Sequence, residues 1–413
     1  MNDSSLDKKK FIWNMVGSLS NALSSFMLLT IVSRVNGSAD SGVFSLAFST
    51  AQLFASVGCF EERAIQATDV SGKRSFSEYL SFRWITCLLM VICTIGYIVI
   101  GKHTGEKAVV IFVICFYKVI DSYSDGYQGL FQLKDRIDLS GMALGIRVIL
   151  STGAFLVVLL FTHELVLASF SMVIVSVIFV IAFDRKQAKH FDSIKIRFSR
   201  NSLWGIFKEC FPLFLGTFMS GYILTAPKYA IDQYLTDEIQ SYFGFLLMPA
   251  FVVNLFSLFV FRPLQTRMAV LWHTKNQEAF SRIVNKCLLW IGFLTIAAVA
   301  GSWLLGIPVL NLVSGFDLSP YKMDLVIIML GGGANALMAL FYYILTVMRK
   351  QYLVLGGYTF GFLVAIIGAP VLVKHFAIRG AAVAYVVPMF LISIAFMCMI
   401  LYNVKNAKKE SDF

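Results

Sequence analysis

A row of polar residues runs through one of the more apolar parts of the chain, between residues 111 and 136. Its members follow one another at spacings of 3, 4, 3 and 4 positions: Lys118, Asp121, Asp125, Gln128 and Gln132. On a helix these spacings place all five on one face, which we call the polar seam. Lipid cannot solvate such a face, since each ionisable group at membrane depth costs about 2.5–3.5 kcal/mol. The seam therefore predicts either one wall of a transport pathway or an ion pair of Lys118 with Asp121 or Asp125 that only holds helices together.

Arg147 is the second candidate for chemistry. It lies about nine residues into the next predicted helix, which at the helical rise is roughly 13 Å from the cytoplasmic face. Lys118 has a comparable predicted depth, so we expect both cations to face one cavity. Guanidinium and ammonium groups suit a phosphate or diphosphate, and we predict that Arg147, Lys118, Gln128 and Gln132 bind substrate. The alternative is a buried ion pair of Arg147 with a carboxylate of the seam.

Further cations occupy the predicted ends of helices. Arg34 and Lys228 lie at the outer side, where we count them among the candidate substrate-binding residues; they either form an outer gate or extend to the membrane interface. Arg63 and Arg83 lie at the inner side, where they either frame the cytoplasmic opening of the pathway or form surface ion pairs.

The chain carries no motif of nucleotide or metal chemistry. It has no GxxxxGK[ST] phosphate loop and no HExxH, and its seven cysteines lack metal-ligand spacing. All five histidines lie in predicted loops or at helix ends, which disfavours a membrane-embedded polymerase or acyltransferase. We expect a protein that is not an enzyme and has no metal or cofactor. Movement would then depend on a proton or sodium gradient, with Asp121 and Asp125 as the ion-coupling candidates.

The composition indicates that these residues are positioned by transmembrane helices. Hydrophobic residues make up 58% of the 413 residues, charged residues 14%, and mean hydropathy is +0.75. A window of about 20 residues predicts twelve spans in an all-α polytopic membrane protein. Most of the 35 Lys and Arg fall in loops on one side, so the net charge of +11 is an orientation signal that places both termini in the cytoplasm, and nucleic-acid binding is disfavoured.

The basic connection after the sixth predicted span divides the chain into two lobes of six helices. We predict an N-lobe over residues 1–190 and a C-lobe over residues 191–413. All eight prolines occur at or after residue 212. Proline bends a membrane helix, so Pro212, Pro227 and Pro249 are candidate gating residues, unless they only shape static packing.

Several segments together resemble a known family. The chain is similar to polysaccharide transporters (Wzx-type flippases) of the multidrug/oligosaccharidyl-lipid/polysaccharide (MOP) exporter superfamily. The most specific segment is RAIQATDVSGKRSFSEYLSFR at 63–83; the others are WNMVGSLSNALSSF at 13–26, SRVNGSADSGVFS at 33–45, the seam at 118–136, APKYAID at 226–232 and VFRPLQ at 260–265.

The resemblance implies two six-helix bundles around a central cavity that opens to one side at a time. It implies a flippase in the bacterial cytoplasmic membrane for undecaprenyl-diphosphate-linked oligosaccharides, the repeat units of O-antigen, capsule or a similar polymer. Its partners would be that glycan, the bilayer and the polysaccharide polymerase machinery. Two alternatives share the fold: a teichoic-acid precursor flippase and a MATE-like antiporter of cationic drugs, which Asp121 and Asp125 would favour.

Overall fold

The computed structural model describes residues 3–274 and 276–411, and these are helical without a β-strand. Side chains at 3–6, 254–256, 258–263, 265–266, 277 and 405–411 are outside the description. In the segment at 260–265, which contributed to the family resemblance, Leu264 is therefore the one residue whose side chain is described. The chain divides into two compact units, Met1–Phe218 and Met219–Phe413.

The first unit contains the polar seam. Its helices are α1 (Asp3–Asn36), α2 (Ser38–Cys59), α3 (Glu62–Gln66), α4 (Phe76–Ile100), α5 (Gly105–Leu133), α6 (Ile137–Thr162), α7 (Leu165–Phe179) and α8 (Arg185–Ala188), with the first part of α9 (Arg200–Tyr234). A π-helical turn, Val180–Asp184, joins α7 to α8 without a break.

The second unit contains the rest of α9 and five further helices: α10 (Asp237–His273), α11 (Gln277–Gly301), α12 (Ile307–Ser314), α13 (Lys322–Val347) and α14 (Gln351–Ser411). Helix α14 consists of two helical segments that meet at Ala377, where φ is 50° and ψ is −132°. Helix α9 is continuous through Pro212 and Pro227, and α10 through Pro249, so these prolines are accommodated within the helices.

Nine helices of the described residues are long and apolar enough to cross a membrane. Helix α5 is not among them, because Lys118, Asp121 and Asp125 lie near its middle. The chain is an all-α polytopic membrane protein, as its sequence predicts. The count of twelve spans, the central cavity and the lobe boundary near residue 190 stay predictions.

Helices α1 and α6 are in backbone contact, and this contact positions Arg147. A Cβ atom on Gly17 would lie 2.9 Å from the carbonyl oxygen of Gly141, and one on Gly141 would lie 2.4 Å from the backbone of Trp13. Small residues allow membrane helices to approach this closely, since packing rather than the hydrophobic effect drives their association. Gly17 and Trp13 belong to the segment at 13–26 that contributed to the family resemblance, so that segment has a packing role.

A tight turn separates α2 from α3 and presents two charged side chains to α5. Phe60 and Glu61 have φ angles of 48° and 54°, in the left-handed region that non-glycine residues rarely adopt. Packing holds the turn in place: the ring of Phe60 is buried and stacks on Phe214 with centroids 4.2 Å apart. Directly after this turn, Arg63 pairs with Asp125 of α5 and Glu62 pairs with Arg83 of α4.

Away from the polar seam, α5 packs into an apolar cluster. Ile120, Tyr127, Leu130 and Phe131 of α5 meet buried residues of α4, α6 and the π-helical turn. Van der Waals packing of these side chains stabilises the contact of α5 with its neighbours. This cluster fixes the rotation of α5 and therefore the direction in which the seam points.

Candidate functional site

Asp121 lies between two cations inside the first unit. Its Oδ2 accepts a hydrogen bond from Lys118 Nζ at 2.9 Å, and its Oδ1 pairs with Arg147 Nη2 from α6. The Lys118 ammonium also lies 5.5 Å from the ring centroid of Phe48 on α2, a contact that favours a cation. Lys118 and Arg147 are both buried and share this carboxylate, and their facing one cavity stays a prediction. The structure thus has the ion-pair geometry that was the alternative to substrate binding.

Arg147 has hydrogen-bond donors that Asp121 does not use. Its side chain is 0% exposed, and Nε and Nη1 have no hydrogen-bond partner among the described residues. A buried guanidinium with unused donors leaves part of its hydrogen-bonding capacity unsatisfied, which costs free energy. Two donors of Arg147 are therefore available to a group other than Asp121.

Asp125 lies between two arginines, one turn further along the seam. Its Oδ1 accepts from Arg63 Nη1 at 2.8 Å, and its Oδ2 accepts from Arg83 Nη2 at 3.3 Å. Both arginines were predicted to frame an inner opening, and both reach the seam. Asp121 and Asp125, the two predicted ion-coupling residues, therefore each contact two cations.

Arg63 connects α3 with α5 and α6. Besides Asp125, its guanidinium donates to Gln128 Oε1 at 3.1 Å, to Gln132 Oε1 at 3.2 Å and to Ser140 Oγ at 3.0 Å. One third of the side chain is exposed, at 33%. Lysine could not reproduce this set of contacts, because a guanidinium has five donors in a fixed plane and an ammonium has three on one atom. Arg63 is thus the most accessible cation of the seam's ion pairs.

Arg83 forms a fully buried pair with Glu62. Arg83 Nε lies 3.2 Å from Glu62 Oε2, and neither side chain is exposed. Arg83 Nη1 also donates to the carbonyl of Gly58 at 3.1 Å, at the end of α2. Because removing one partner would strand the other charge in the interior, we interpret Arg83 as an anchor of the α2–α3 turn.

The segment at 63–83 uses its polar residues to build this site. Gln66 Nε2 donates to the carbonyl of Gly126 at 3.1 Å, and a Cβ atom on Gly129 would lie 2.1 Å from Gln66 Oε1, so Gly129 leaves room for the Gln66 side chain in this position. Arg74 binds Glu209 through two hydrogen bonds of 2.8 Å each. Ser75 and Glu78 form a capping box at the start of α4.

Asp69 holds the loop between α3 and α4. It accepts from the backbone N–H groups of Lys73 and Arg74 and from the hydroxyl of Tyr79, each at 3.0 Å. Partial burial alone would raise the pKa of Asp69, but these donors outweigh it and hold that pKa below its ordinary value. The loop is therefore built around a charged carboxylate.

The remaining candidates lie apart from the seam in the sequence. Arg34 is exposed in the last turn of α1. In the second unit, Lys228 is half-buried and Pro227 is buried on α9, and Pro249 is half-buried on α10; Pro212 is exposed in the first unit. Their predicted roles stay predictions. Within the described residues, no group of three or more His, Cys, Asp or Glu side chains is arranged to hold a metal ion.

Three polar residues of the site were missed in the sequence: Ser124, Ser140 and Asp184. Ser124 Oγ donates to Asp184 Oδ2 at 2.6 Å and accepts from Gln128 Nε2 at 3.3 Å. The sequence places Asp184 beside Arg185 and Lys186, where it resembles the start of a cytoplasmic loop. One sequence feature could have identified Asp184: it directly follows a long apolar run, so it lies next to a predicted transmembrane helix.

Comparison of the fold with solved structures identifies its class. An inward-facing multidrug resistance MATE family transporter of the MOP superfamily aligns with a TM-score of 0.70 at 13% identity, over 96% of this chain and 99% of that one. Lipid II flippase MurJ, in an inward closed conformation, aligns with a TM-score of 0.71 at 14% identity, over 95% of this chain and 87% of that one. The chain has the fold of the MOP exporter superfamily.

One curated relative adds to this assignment. The chain is 22% identical over 330 residues to a capsular polysaccharide biosynthesis protein, CapF, of Staphylococcus aureus, covering 78% of this chain and 81% of that protein. No protein-family model matches the sequence. The fold and this relative agree with the resemblance to Wzx-type members of the MOP superfamily.

Proposed function

We propose that the protein moves undecaprenyl-diphosphate-linked oligosaccharide repeat units from the inner to the outer face of the bacterial cytoplasmic membrane. The MOP fold supports transport or flipping in general, MurJ is a lipid II flippase, and the relative CapF is named for capsular polysaccharide biosynthesis. These similarities support a lipid-linked glycan of capsule, O-antigen or a similar polymer as the cargo.

The observation that carries the proposal is the pair of unused donors on Arg147. Lys118 and Arg147 share the single carboxylate of Asp121, so the three groups together retain one positive charge. A diphosphate supplies the complementary charge and several oxygens, and a guanidinium binds such oxygens through parallel hydrogen bonds. Arg147 is buried in this conformation, so the proposal requires the pathway to open before the diphosphate reaches it.

The sugars would pass along the amide groups of the seam. Gln128 and Gln132 already bind Arg63, whose guanidinium is partly exposed. Competition of sugar hydroxyls for these donors and acceptors would release Arg63 and open the cytoplasmic end of the site. Arg34 and Lys228 would serve the outer side, and Pro212, Pro227 and Pro249 the bending of α9 and α10.

Coupling to a proton or sodium gradient and alternating access complete the proposal. We place both termini in the cytoplasm and expect contact with the polymerase that consumes the flipped units. A teichoic-acid precursor carries the same diphosphate and is a variant of the same proposal.

A MATE-like drug antiporter is the competing function, and the MATE fold similarity favours it. Cationic drugs need an accessible carboxylate, whereas Asp121 and Asp125 are each bound to two cations of the protein itself. The seam therefore supports an anionic cargo better than a cationic one.

Removal of the gene from its native host tests the proposal. We expect surface polysaccharide to disappear and lipid-linked repeat units to accumulate inside, with recovery by the wild-type gene. Arg147→Ala should fail to restore export at normal membrane levels, and Lys134→Ala, at an exposed cation near the end of α5, should restore it. Normal surface polysaccharide together with raised sensitivity to cationic drugs would overturn the proposal in favour of the antiporter.

A further inference from the structure

Asp184 is a buried carboxylate that the transport account above leaves unused. It is the last residue of the π-helical turn after α7 and is 0% exposed. Ser124 Oγ on α5 donates to Oδ2 at 2.6 Å, while Oδ1 is buried without a hydrogen-bond partner in the described part of the chain. Single π-helical turns inside α-helices occur frequently at functional sites.

No cation of the described residues forms an ion pair with Asp184. Arg147 on α6 lies near enough to interact with it electrostatically, but its salt bridge is with Asp121. The other charged or titratable groups near Asp184 are Asp121 and Tyr127 on α5 and Arg185, which follows it in the chain. Asp184 thus differs from Asp121 and Asp125, which each bind two cations.

An isolated ionised carboxylate is costly in a protein interior, and such a group becomes neutral by taking up a proton. Ser124 can serve both forms, because a hydroxyl donates to a carboxylate and, after rotation, accepts from a carboxylic acid. Asp121 and Asp125 are poorer proton acceptors, since protonation of either would remove the charge of a carboxylate that pairs with two cations. The geometry therefore distinguishes one carboxylate of the first unit from the two in the seam.

We propose that Asp184 is an exchangeable proton-binding site, protonated in the conformation described here. This inference rests on the proposed function only where it concerns coupling. With Asp184 neutral, Lys118, Arg147 and Asp121 carry a net charge of one, which favours an anionic cargo. Loss of the proton from Asp184 cancels that charge and gives Arg147 a second carboxylate. Proton and diphosphate therefore strengthen each other's binding, and by linkage the effect is reciprocal.

Infrared difference spectroscopy on the purified protein in liposomes tests the site without any substrate. Wild type should show a carbonyl band of a protonated carboxylic acid that disappears on raising the pH. Asp184→Asn, a near-isosteric change, should lack this band. Asp138→Asn should retain it, because Asp138 is a buried carboxylate that already pairs with Arg136 at 2.9 Å.

A second variant guards against misfolding of Asp184→Asn. Ser124→Ala removes the only hydrogen bond that Asp184 accepts among the described residues and should shift the frequency of the band. An unchanged band in both Asp184→Asn and Ser124→Ala would overturn the proton site.

Coupling between the proton and the cargo is tested in the same liposomes, by measuring transbilayer movement of a lipid-linked oligosaccharide. Wild-type movement should depend on pH, and movement by Asp184→Asn should lose that dependence. The two proposals fail separately. A band that Asp184→Asn abolishes, with no glycan movement by wild type, would support the proton site and contradict the proposed function. Glycan movement by wild type, with a band that neither variant alters, would support the proposed function and contradict the proton site.

Discussion

Arg147 and Asp121, 26 positions apart in the sequence, form an ion pair that joins α6 to α5, and Lys118 binds the same carboxylate from one turn away. One anion therefore pairs with two buried cations, and the three groups keep one positive charge. Replacing one of these three charged residues should therefore affect stability differently from replacing another, and the first prediction follows from this difference.

Asp121→Asn should destabilise the folded protein more than Arg147→Gln or Lys118→Gln. The first change strands two cations, which we expect to cost about 3–5 kcal/mol, whereas each of the others leaves a neutral pair of Asp121 with one cation. Thermal unfolding in detergent and the yield of folded, membrane-inserted protein measure the difference. Equal stability of the three variants would show that Asp121 is not the shared counter-ion.

Arg63→Lys should impair transport even though it keeps the charge. The ammonium cannot replace the four side-chain contacts of the guanidinium with Asp125, Gln128, Gln132 and Ser140. We expect a loss of stability of about 1–3 kcal/mol, as for hydrogen bonds to charged groups. Transport and unfolding temperature are measured for Arg63→Lys beside Lys134→Ala. Wild-type transport by Arg63→Lys would mean that only the charge at position 63 matters.

Acid should loosen the loop between α3 and α4 through Asp69. The pKa of Asp69 is held below its ordinary value, so its hydrogen bonds stabilise the fold above about pH 4 and this stabilisation is lost as pH falls through the lowered pKa. Asp69→Asn should lower the unfolding temperature at neutral pH and flatten its dependence below about pH 4. An acid dependence identical to wild type would exclude Asp69 as a contributor.

Membrane topology is the fourth prediction. With exposed Cys398 replaced by serine, an impermeant thiol reagent added to intact cells should label Thr104→Cys and residues introduced at 316–322. Lys195→Cys should react only after the membrane is opened, and a reporter fused to the C-terminus should be cytoplasmic. Termini on opposite sides of the membrane would contradict the twelve-span prediction.

The polar seam was predictable because helical spacing alone places Lys118, Asp121 and Asp125 on one face. Their partners were not, since Arg63 follows a turn in which Phe60 and Glu61 adopt left-handed angles that no local pattern indicates, and Arg83 reaches Asp125 from another helix. Asp184 was missed because the adjacent basic residues resemble a loop. A choice between substrate binding and ion pairing for Arg147 required the distance between α5 and α6, which sequence does not contain.

The break in α14 lies between two of the predicted spans, whose centres fall near residues 363 and 391. Pro370 and Pro388 mark the region, yet both lie inside helical segments, and the chain departs from helix at Ala377. A Cβ atom on Gly380 would lie 2.0 Å from the carbonyl oxygen of Leu372, so the chain folds closely on itself at the break. Proline positions alone would have placed the break elsewhere.

Transbilayer movement of an undecaprenyl-diphosphate-linked oligosaccharide in proteoliposomes tests the central claim most directly. Wild type should move the lipid across the bilayer, Arg147→Ala should not, and Arg147→Lys should do so only in part, because one ammonium cannot reproduce the guanidinium fork. Lys134→Ala is the matched control and should equal wild type. Full movement by a variant combining Arg147→Gln with Lys118→Gln, or proton-driven transport of a cationic drug without movement of the lipid-linked glycan, would contradict the account.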